Sequence, residues 1–242
     1  MPRRTFELEL VSYYDETPNV RHFVFRREDG ELMKWRPGQF IMIHFEIDDA
    51  EWQRSYSIAT KPDESDAIEI GVAYVEGGRA SRFLWALEPG AKVTSSGPYG
   101  RFILRDEEPR RYVLVATGTG VAPYRAMLPE IAERIGAHGL EIDLLLGVRH
   151  AEDLLYGADF LKFAEAHEGF RFHACFSRTT PDGDPAWCSD GYVQGRFEGL
   201  DLDPEQDIVY LCGNPAMVDD ALEWLKDNGF SPYKVRREKY IS

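Results

Sequence analysis

Short runs of alternating apolar and polar residues, separated by turn signals, fill the first hundred positions at 5–11, 21–26, 39–45, 55–59, 67–75, 92–96 and 101–104. Alternation at period two turns one face of each run toward a core, so this spacing predicts a small antiparallel β-barrel. A helical stretch at 81–86 interrupts it and ends in the turn Glu88-Pro89-Gly90. After Pro109 the pattern changes. Apolar runs at 112–116, 141–147, 171–176, 208–212 and 234–238 alternate with helical periodicity at 122–135, 157–167 and 216–227. Continuous apolar strands separated by helices predict a parallel sheet covered on both faces. The expectation is a two-domain chain, an antiparallel β-barrel over 1–106 and a Rossmann-like α/β parallel-sheet nucleotide-binding domain over 107–242. The acidic stretch Asp106-Glu107-Glu108-Pro109 marks the join.

Composition narrows the functions. The 242 residues, 43% hydrophobic, suffice for two separate cores. A net charge of −14, with most of the acid excess after residue 105, argues against a nucleic-acid or anionic-membrane partner. There is no run of eighteen apolar residues, and Met1-Pro2-Arg3-Arg4-Thr5-Phe6 leads straight into a strand pattern, so a soluble, cytoplasmic, monomeric protein is expected. Cys175, Cys188 and Cys212 match neither a disulfide framework nor an iron–sulfur ligand run, so any such cluster is expected on another chain. The six histidines show no ligand-like spacing, and Asp182-Gly183-Asp184 lacks the rest of a calcium loop, so no metal site is expected.

Several motifs carry chemistry. Arg54-Ser55-Tyr56-Ser57 combines a guanidinium, an aromatic ring and hydroxyls within four residues, the groups a flavin nucleotide needs for its phosphates, its ring and its reactive nitrogen. An ordinary strand of alternating exposure reads the same way. Gly77-Gly78-Arg79-Ala80-Ser81 opens the first helical stretch, where free backbone N–H groups suit a pyrophosphate, although a plain hairpin turn with Ser81 as N-cap fits too. Thr117-Gly118-Thr119-Gly120-Val121-Ala122-Pro123 joins a strand to a helix, as in dinucleotide-binding folds, but lacks the third glycine of G-x-G-x-x-G. Arg149 and Arg178 each follow a predicted parallel strand, at the edge where such sheets bind ligands, and a 2′-phosphate requires such cations. Neither position is acidic, which favours NADP over NAD.

Together these motifs resemble the ferredoxin–NADP reductase family. Arg54-Ser55-Tyr56-Ser57, then Gly78 to Ser81 with Phe83-Leu84 and Leu87-Glu88-Pro89-Gly90, looks like its FAD-binding half. Thr117 to Pro123, and Leu211-Cys212-Gly213-Asn214-Pro215-Ala216-Met217 at a strand-to-helix junction, look like its nicotinamide-binding half, which itself lacks the third glycine. The resemblance implies bound FAD, with Arg54 and Ser81 on the pyrophosphate, Tyr56 against the flavin ring and Ser57 near flavin N5. It implies Gly78, Arg79 and Ala80 in the same flavin site.

For NADP(H) the resemblance implies Thr117, Gly118, Thr119, Gly120, Asn214, Pro215 and Met217 around the dinucleotide, and Arg149, Ser177 and Arg178 on the 2′-phosphate. Gly213 is implied to admit the cofactor backbone and Cys212 to sit beside the nicotinamide. Near the C-terminus, Glu238 and Tyr240 look like the family's E-x-Y pair, with Tyr240 covering the flavin; Ile241-Ser242 extend beyond it. The implied reaction passes a hydride between NADP(H) and flavin N5, shaped by Ser57, Cys212, Glu238 and Tyr240, and hands single electrons to a separate ferredoxin or flavodoxin. Arg79, Arg82, Arg101, Arg236, Arg237 and Lys239 are the candidate docking cations. The same motifs suit the reductase component of an oxygenase, a free-flavin reductase, or a non-catalytic subunit that retains the fold.

Overall fold

The computed structural model describes residues 5–62, 65–107, 109–181, 183 and 185–240. The first sheet is antiparallel and comprises β1 (Thr5–Thr17), β2 (Val20–Arg27), β3 (Phe40–Ile47), β4 (Ala50–Ser57), β5 (Ile68–Ala73) and β6 (Lys92–Tyr99), in the order β4-β3-β6-β1-β2-β5. Its outer strands meet just past β4, where the Ala59 N–H donates to the Glu69 carbonyl of β5 at 2.8 Å. The Thr60 hydroxyl donates to the Ala67 carbonyl, also at 2.8 Å. The sheet thus curls into the expected barrel, with its two outer strands, β4 and β5, joined at one end. Period-two alternation is the cause: Ile41, Ile43 and Phe45 of β3 are buried in a core with Leu8, Leu10 and Phe23, while Met42 and His44 point the other way.

Three local expectations are corrected. β4 begins at Ala50, not 55, because Asp48 and Asp49 both take positive φ, 54° and 57°, and form a two-residue hairpin turn. The first helix, α1 (Arg79–Trp85), starts two residues early with Gly78 as its N-cap, so Ser81 lies inside the first turn. Residues 101–104 form no strand. Phe102 and Leu104 are nonetheless buried, and Gly38 approaches so closely that a Cβ there would lie 1.9 Å from the Phe102 carbonyl oxygen. Packing, not a ladder, explains their apolar pattern.

The chain divides into two compact units, one running to Leu104 and including Ala122–Pro129, the other comprising Arg105–Val121 and the residues from Glu130 onward. The second sheet contains β7 (Arg111–Thr117), β8 (Glu141–His150), β9 (Phe170–Thr179), β10 (Cys188–Asp190), β11 (Asp207–Gly213) and β12 (Val235–Lys239), all parallel, in the order β10-β9-β8-β7-β11-β12. Helices α2 (Ala122–His138), α3 (Gly157–Ala166) and α4 (Pro215–Asp227) alternate with the strands. The chain winds outward from β7 to β10 and then returns to β7's other side, which makes the β7–β11 junction a topological switch point. Ligands of such sheets bind at the carboxyl ends of the strands flanking that point.

The opposite, amino-terminal ends hold an ionic cluster that no motif announced. Asp143 and Asp207 are both fully buried. Arg111 donates to Asp143 at 3.1 Å and to Asp207 at 2.7 Å, Arg171 donates to both Asp143 oxygens at 2.7 and 2.9 Å, and Arg110 to both Asp207 oxygens at 2.9 and 2.8 Å. Burial pushes the Asp143 carboxyl up, but hydrogen bonds from His173 and Arg171 and the charges of Arg171 and Arg111 outweigh it and hold the group well below the usual carboxylate range. Among the described residues no helix is long and apolar enough to cross a membrane, and no group of three His, Cys, Asp or Glu could hold a metal ion.

Candidate cofactor sites

In the first unit, alternation along β4 puts Trp52, Arg54 and Tyr56 on one face and Ser55 and Ser57 on the other. Tyr56 packs half-buried against the barrel core, and burial raises its phenol above the ordinary value, so its ring stays neutral. The Arg54 and Arg79 guanidiniums lie over the Trp52 indole, 5.8 and 4.5 Å from its centroid. Neither has a carboxylate partner among the described residues. Two cations from different motifs thus share one aromatic plate.

Gly78 is required by its surroundings, since a Cβ would lie 2.8 Å from Ser81 Oγ and 2.9 Å from the Val75 carbonyl. The Ser81 hydroxyl is buried, donates to the Val75 carbonyl at 3.0 Å and accepts from the Val75 N–H at 3.1 Å. Ser81 therefore has its first-turn N–H, with those of Arg79 and Ala80, to offer a phosphate, its hydroxyl being committed to shaping the turn.

In the second unit, Thr117-Gly118-Thr119-Gly120 leaves the carboxyl end of β7 as part of a short 3₁₀ turn running into α2. Gly118 takes φ +52° with nothing within 4 Å of a Cβ position, an open place for a ligand backbone. Gly120 has another reason: a Cβ would lie 2.3 Å from the Cys212 carbonyl oxygen. At Gly213, with φ +132°, a Cβ would lie 2.6 Å from Thr117 Oγ1. The implied role of Gly213 toward the cofactor is thus accompanied by a requirement internal to the protein. Thr117 Oγ1 accepts the Asn214 N–H at 3.0 Å, and Asn214 Oδ1 caps α4 by accepting the Ala216 N–H at 2.8 Å. Met217, implied at the dinucleotide, is buried in the hydrophobic core.

Arg149 and Arg178 do not follow their strands but lie within them, because β8 and β9 run past 147 and 176. The ladder pairs Val148 with Phe176 and His150 with Thr179, so Arg149 faces Ser177 and Arg178 across a bulge. This extra residue gathers the three expected phosphate ligands at the carboxyl edge. Both guanidiniums are exposed, with no carboxylate partner among the described residues. Tyr192, not singled out in the sequence, is 72% exposed just past the carboxyl end of β10. An aromatic residue after a turn glycine, Gly191-Tyr192, was the available signal.

Cys212 is the register partner of Glu238, and the Tyr240 N–H donates to the Gly213 carbonyl at 2.8 Å. The Cys212 thiol is fully buried; burial and the Glu238 charge raise its pKa well above the ordinary value, against a hydrogen bond with Tyr240 that lowers it. It is a neutral thiol. Burial also lifts the Glu238 carboxyl to about 7. Lys239 is paired with Asp219 at 2.6 Å, which offsets its charge as a docking cation. Ile241, Ser242, Glu108, Asp182 and Asp184 lie outside the described residues.

Residues 7–103 match the family described as "Oxidoreductase FAD-binding domain" and residues 114–223 that described as "Oxidoreductase NAD-binding domain". The chain is 34% identical to "Ferredoxin--NADP reductase B" of Sorangium cellulosum, covering 97% of both chains. The chain belongs to the ferredoxin–NADP reductase family. Some other relatives share less of their length with it. The toluate 1,2-dioxygenase electron transfer component of Pseudomonas putida is 33% identical over 85% of this chain but only 59% of its own. The crystal structure of the Amycolatopsis cytochrome P450 reductase GcoB superposes with a TM-score of 0.84 at 29% identity, over 98% of this chain and 70% of that one.

As a member of the ferredoxin–NADP reductase family, the chain is an electron-transfer oxidoreductase that binds FAD and a nicotinamide dinucleotide. Its residues fit both groups. Arg54 and Arg79, which have no carboxylate partner among the described residues, lie beside the glycine-led turn of α1 and suit the flavin pyrophosphate, and the open Gly118 cradle suits the second dinucleotide.

Proposed function

We propose that this chain oxidises a reduced nicotinamide dinucleotide at FAD and supplies electrons, through a separate one-electron carrier protein, to an oxygenase. The observation that carries it is that one chain holds both half-sites, while its only cysteines, Cys175, Cys188 and Cys212, lack the spacing of an iron–sulfur ligand set. When bound, FAD would supply a two-electron acceptor for the nicotinamide hydride and a donor of single electrons to the carrier. The oxygenase assignment draws support from relatives named as toluate, terephthalate and propane oxygenase reductase components. A second reading, reduction of ferredoxin or flavodoxin linked to NADP(H), draws on the Sorangium relative, a match of nearly equal length.

In this reading Arg54 and Arg79 neutralise the FAD pyrophosphate, Tyr56 supports the flavin ring and the Ser57 hydroxyl is offered to flavin N5. Arg149, Ser177 and Arg178 hold the adenosine 2′-phosphate of NADP(H), with Tyr192 as a stacking surface for the adenine. Thr117 to Gly120 and Asn214 receive the dinucleotide backbone, and Cys212, Glu238 and Tyr240 form the wall at the nicotinamide. Exposed Arg82, Arg101, Arg236 and Arg237 supply positive charge for an acidic carrier against the net −14 of the chain.

The test is turnover of the FAD-loaded protein with NADH and NADPH against four acceptors: a [2Fe–2S] oxygenase ferredoxin, a general ferredoxin, a flavodoxin and free flavin. Reduction of the oxygenase ferredoxin at least tenfold faster than the others is expected. Equal rates with free flavin and no response to any carrier would sink the reading.

Two variants probe the residues. Arg54→Ala removes charge-assisted hydrogen bonds and is expected to weaken FAD binding by roughly ten- to a hundredfold, about 1.5–3 kcal/mol, read by titrating apoprotein with FAD. Glu238 holds its proton below about pH 7 and loses it above. The rate of flavin reduction is therefore expected to show an inflection near that pH, absent in Glu238→Gln, in stopped-flow traces across pH 5.5–8.5.

A further inference from the structure

Residues 149, 177 and 178 do not set the charge at the carboxyl edge by themselves. β10 lies parallel to β9 with Asp190 in register with Phe176, one residue before Ser177. The Gly191 N–H donates to the Phe176 carbonyl at 2.9 Å, and the Thr180 hydroxyl, two residues past Arg178, is hydrogen-bonded to the Asp190 carboxylate. Two residues of extended chain span about 7 Å. The acid is thus fastened alongside the segment that carries Ser177 and Arg178. Asp190 is exposed and has no cation partner among the described residues.

We propose that Asp190 is a specificity residue that opposes the adenosine 2′-phosphate and restrains the preference for NADPH, so that NADH serves as well. The inference rests on the assignment of Arg149, Ser177 and Arg178 to that phosphate. A carboxylate about 7 Å from a phosphate carrying nearly two charges, with solvent between, weakens its binding roughly five- to tenfold at low ionic strength. NADH has only a ribose hydroxyl there and suffers no such repulsion. The arginines and the acid thus act in opposition, and the balance sets which dinucleotide is used.

The experiment compares kcat/KM for NADPH and NADH on the FAD-loaded protein, parent against Asp190→Asn and Asp190→Glu. Asparagine still accepts the Thr180 hydrogen bond, so the substitution removes charge while keeping the fastening, and a ratio taken on one preparation is independent of the fraction folded. The NADPH/NADH ratio is expected to rise roughly five- to tenfold in Asp190→Asn through a lower KM for NADPH. The gain should shrink as salt is raised, and Asp190→Glu should keep the parent ratio. A ratio unchanged in Asp190→Asn, or one that rises only because NADH activity falls, overturns the inference. A parent protein that oxidises neither dinucleotide overturns the functional reading itself.

Discussion

Replacing Gly120 by alanine is expected to abolish at least 99% of nicotinamide-dependent turnover while leaving FAD bound. The added Cβ would lie 2.3 Å from the Cys212 carbonyl oxygen and 2.7 Å from Gly213 Cα, and both neighbours are backbone at the carboxyl end of β11, a strand paired on both sides. Something must move, and the mobile partner is the turn between β7 and α2, which carries Thr117 to Thr119. Its displacement breaks the 3.0 Å bond from the Asn214 N–H to Thr117 Oγ1 that aligns the two glycine-bearing loops. A misplacement of about 1 Å in a positioning element costs on the order of a hundredfold in rate. The barrel has its own core, built from other residues, so flavin content should stay at the parent level. Flavin absorbance per protein, with stopped-flow reduction by NADPH and NADH, separates the two effects. A variant within threefold of the parent rate would show that the loop absorbs the methyl group.

Asp143→Asn is expected to cause the largest loss of stability. The carboxylate is fully buried among Arg111, Arg171 and His173, and its neutral isostere leaves the cavity filled but leaves Arg111 only Asp207, and Arg171 only the exposed Glu141, as counter-charge. Breaking one partner out of a buried ionic set costs about 3–5 kcal/mol. Thermal unfolding of the second unit should drop on the order of 10 °C. Because the folded-state pKa of Asp143 lies below the unfolded value, its contribution is present above about pH 4 and lost as pH falls further. The Asp207 carboxyl is lowered too, burial being outweighed by hydrogen bonds from Arg110 and Arg111, so it adds to the same acid window. The parent should therefore destabilise steeply below pH 4, and Asp143→Asn more gently, in calorimetric scans from pH 3 to 7. Parallel curves for the two proteins would rule this cluster out as the source.

The two units, their order and the chemistry of each were legible along the chain, because local pattern determines them. Period-two alternation marks a half-buried strand wherever it falls, and the unbroken apolar runs of β7 and β11 mark strands buried on both faces. The glycines between strand and helix at 118, 120 and 213 singled out the two strand-to-helix loops without a third dimension, since glycine takes positive φ at little cost and allows close backbone approach. Boundaries were less legible. The Asp48-Asp49 turn lacks the glycine that usually signals a two-residue hairpin, and β10 is three residues long, too short to show a period.

What only the tertiary structure decided is which distant residues share a place. Arg111 and Asp207 are ninety-six positions apart, and each alone reads as a surface charge at a strand start. Arg149, Ser177 and Arg178 were candidates one by one, but the bulge that aligns them depends on the pairing of two strands. Gly120 and Gly213 were assigned to the cofactor, yet the nearest atoms that forbid a side chain there belong to the protein's own backbone and Thr117. Asp190 entered the picture only through β10. Sequence pattern carries short-range information, the propensity and periodicity of neighbours. Charge balance, close approach and ligand geometry depend on contacts across the chain, which exist only after it has folded.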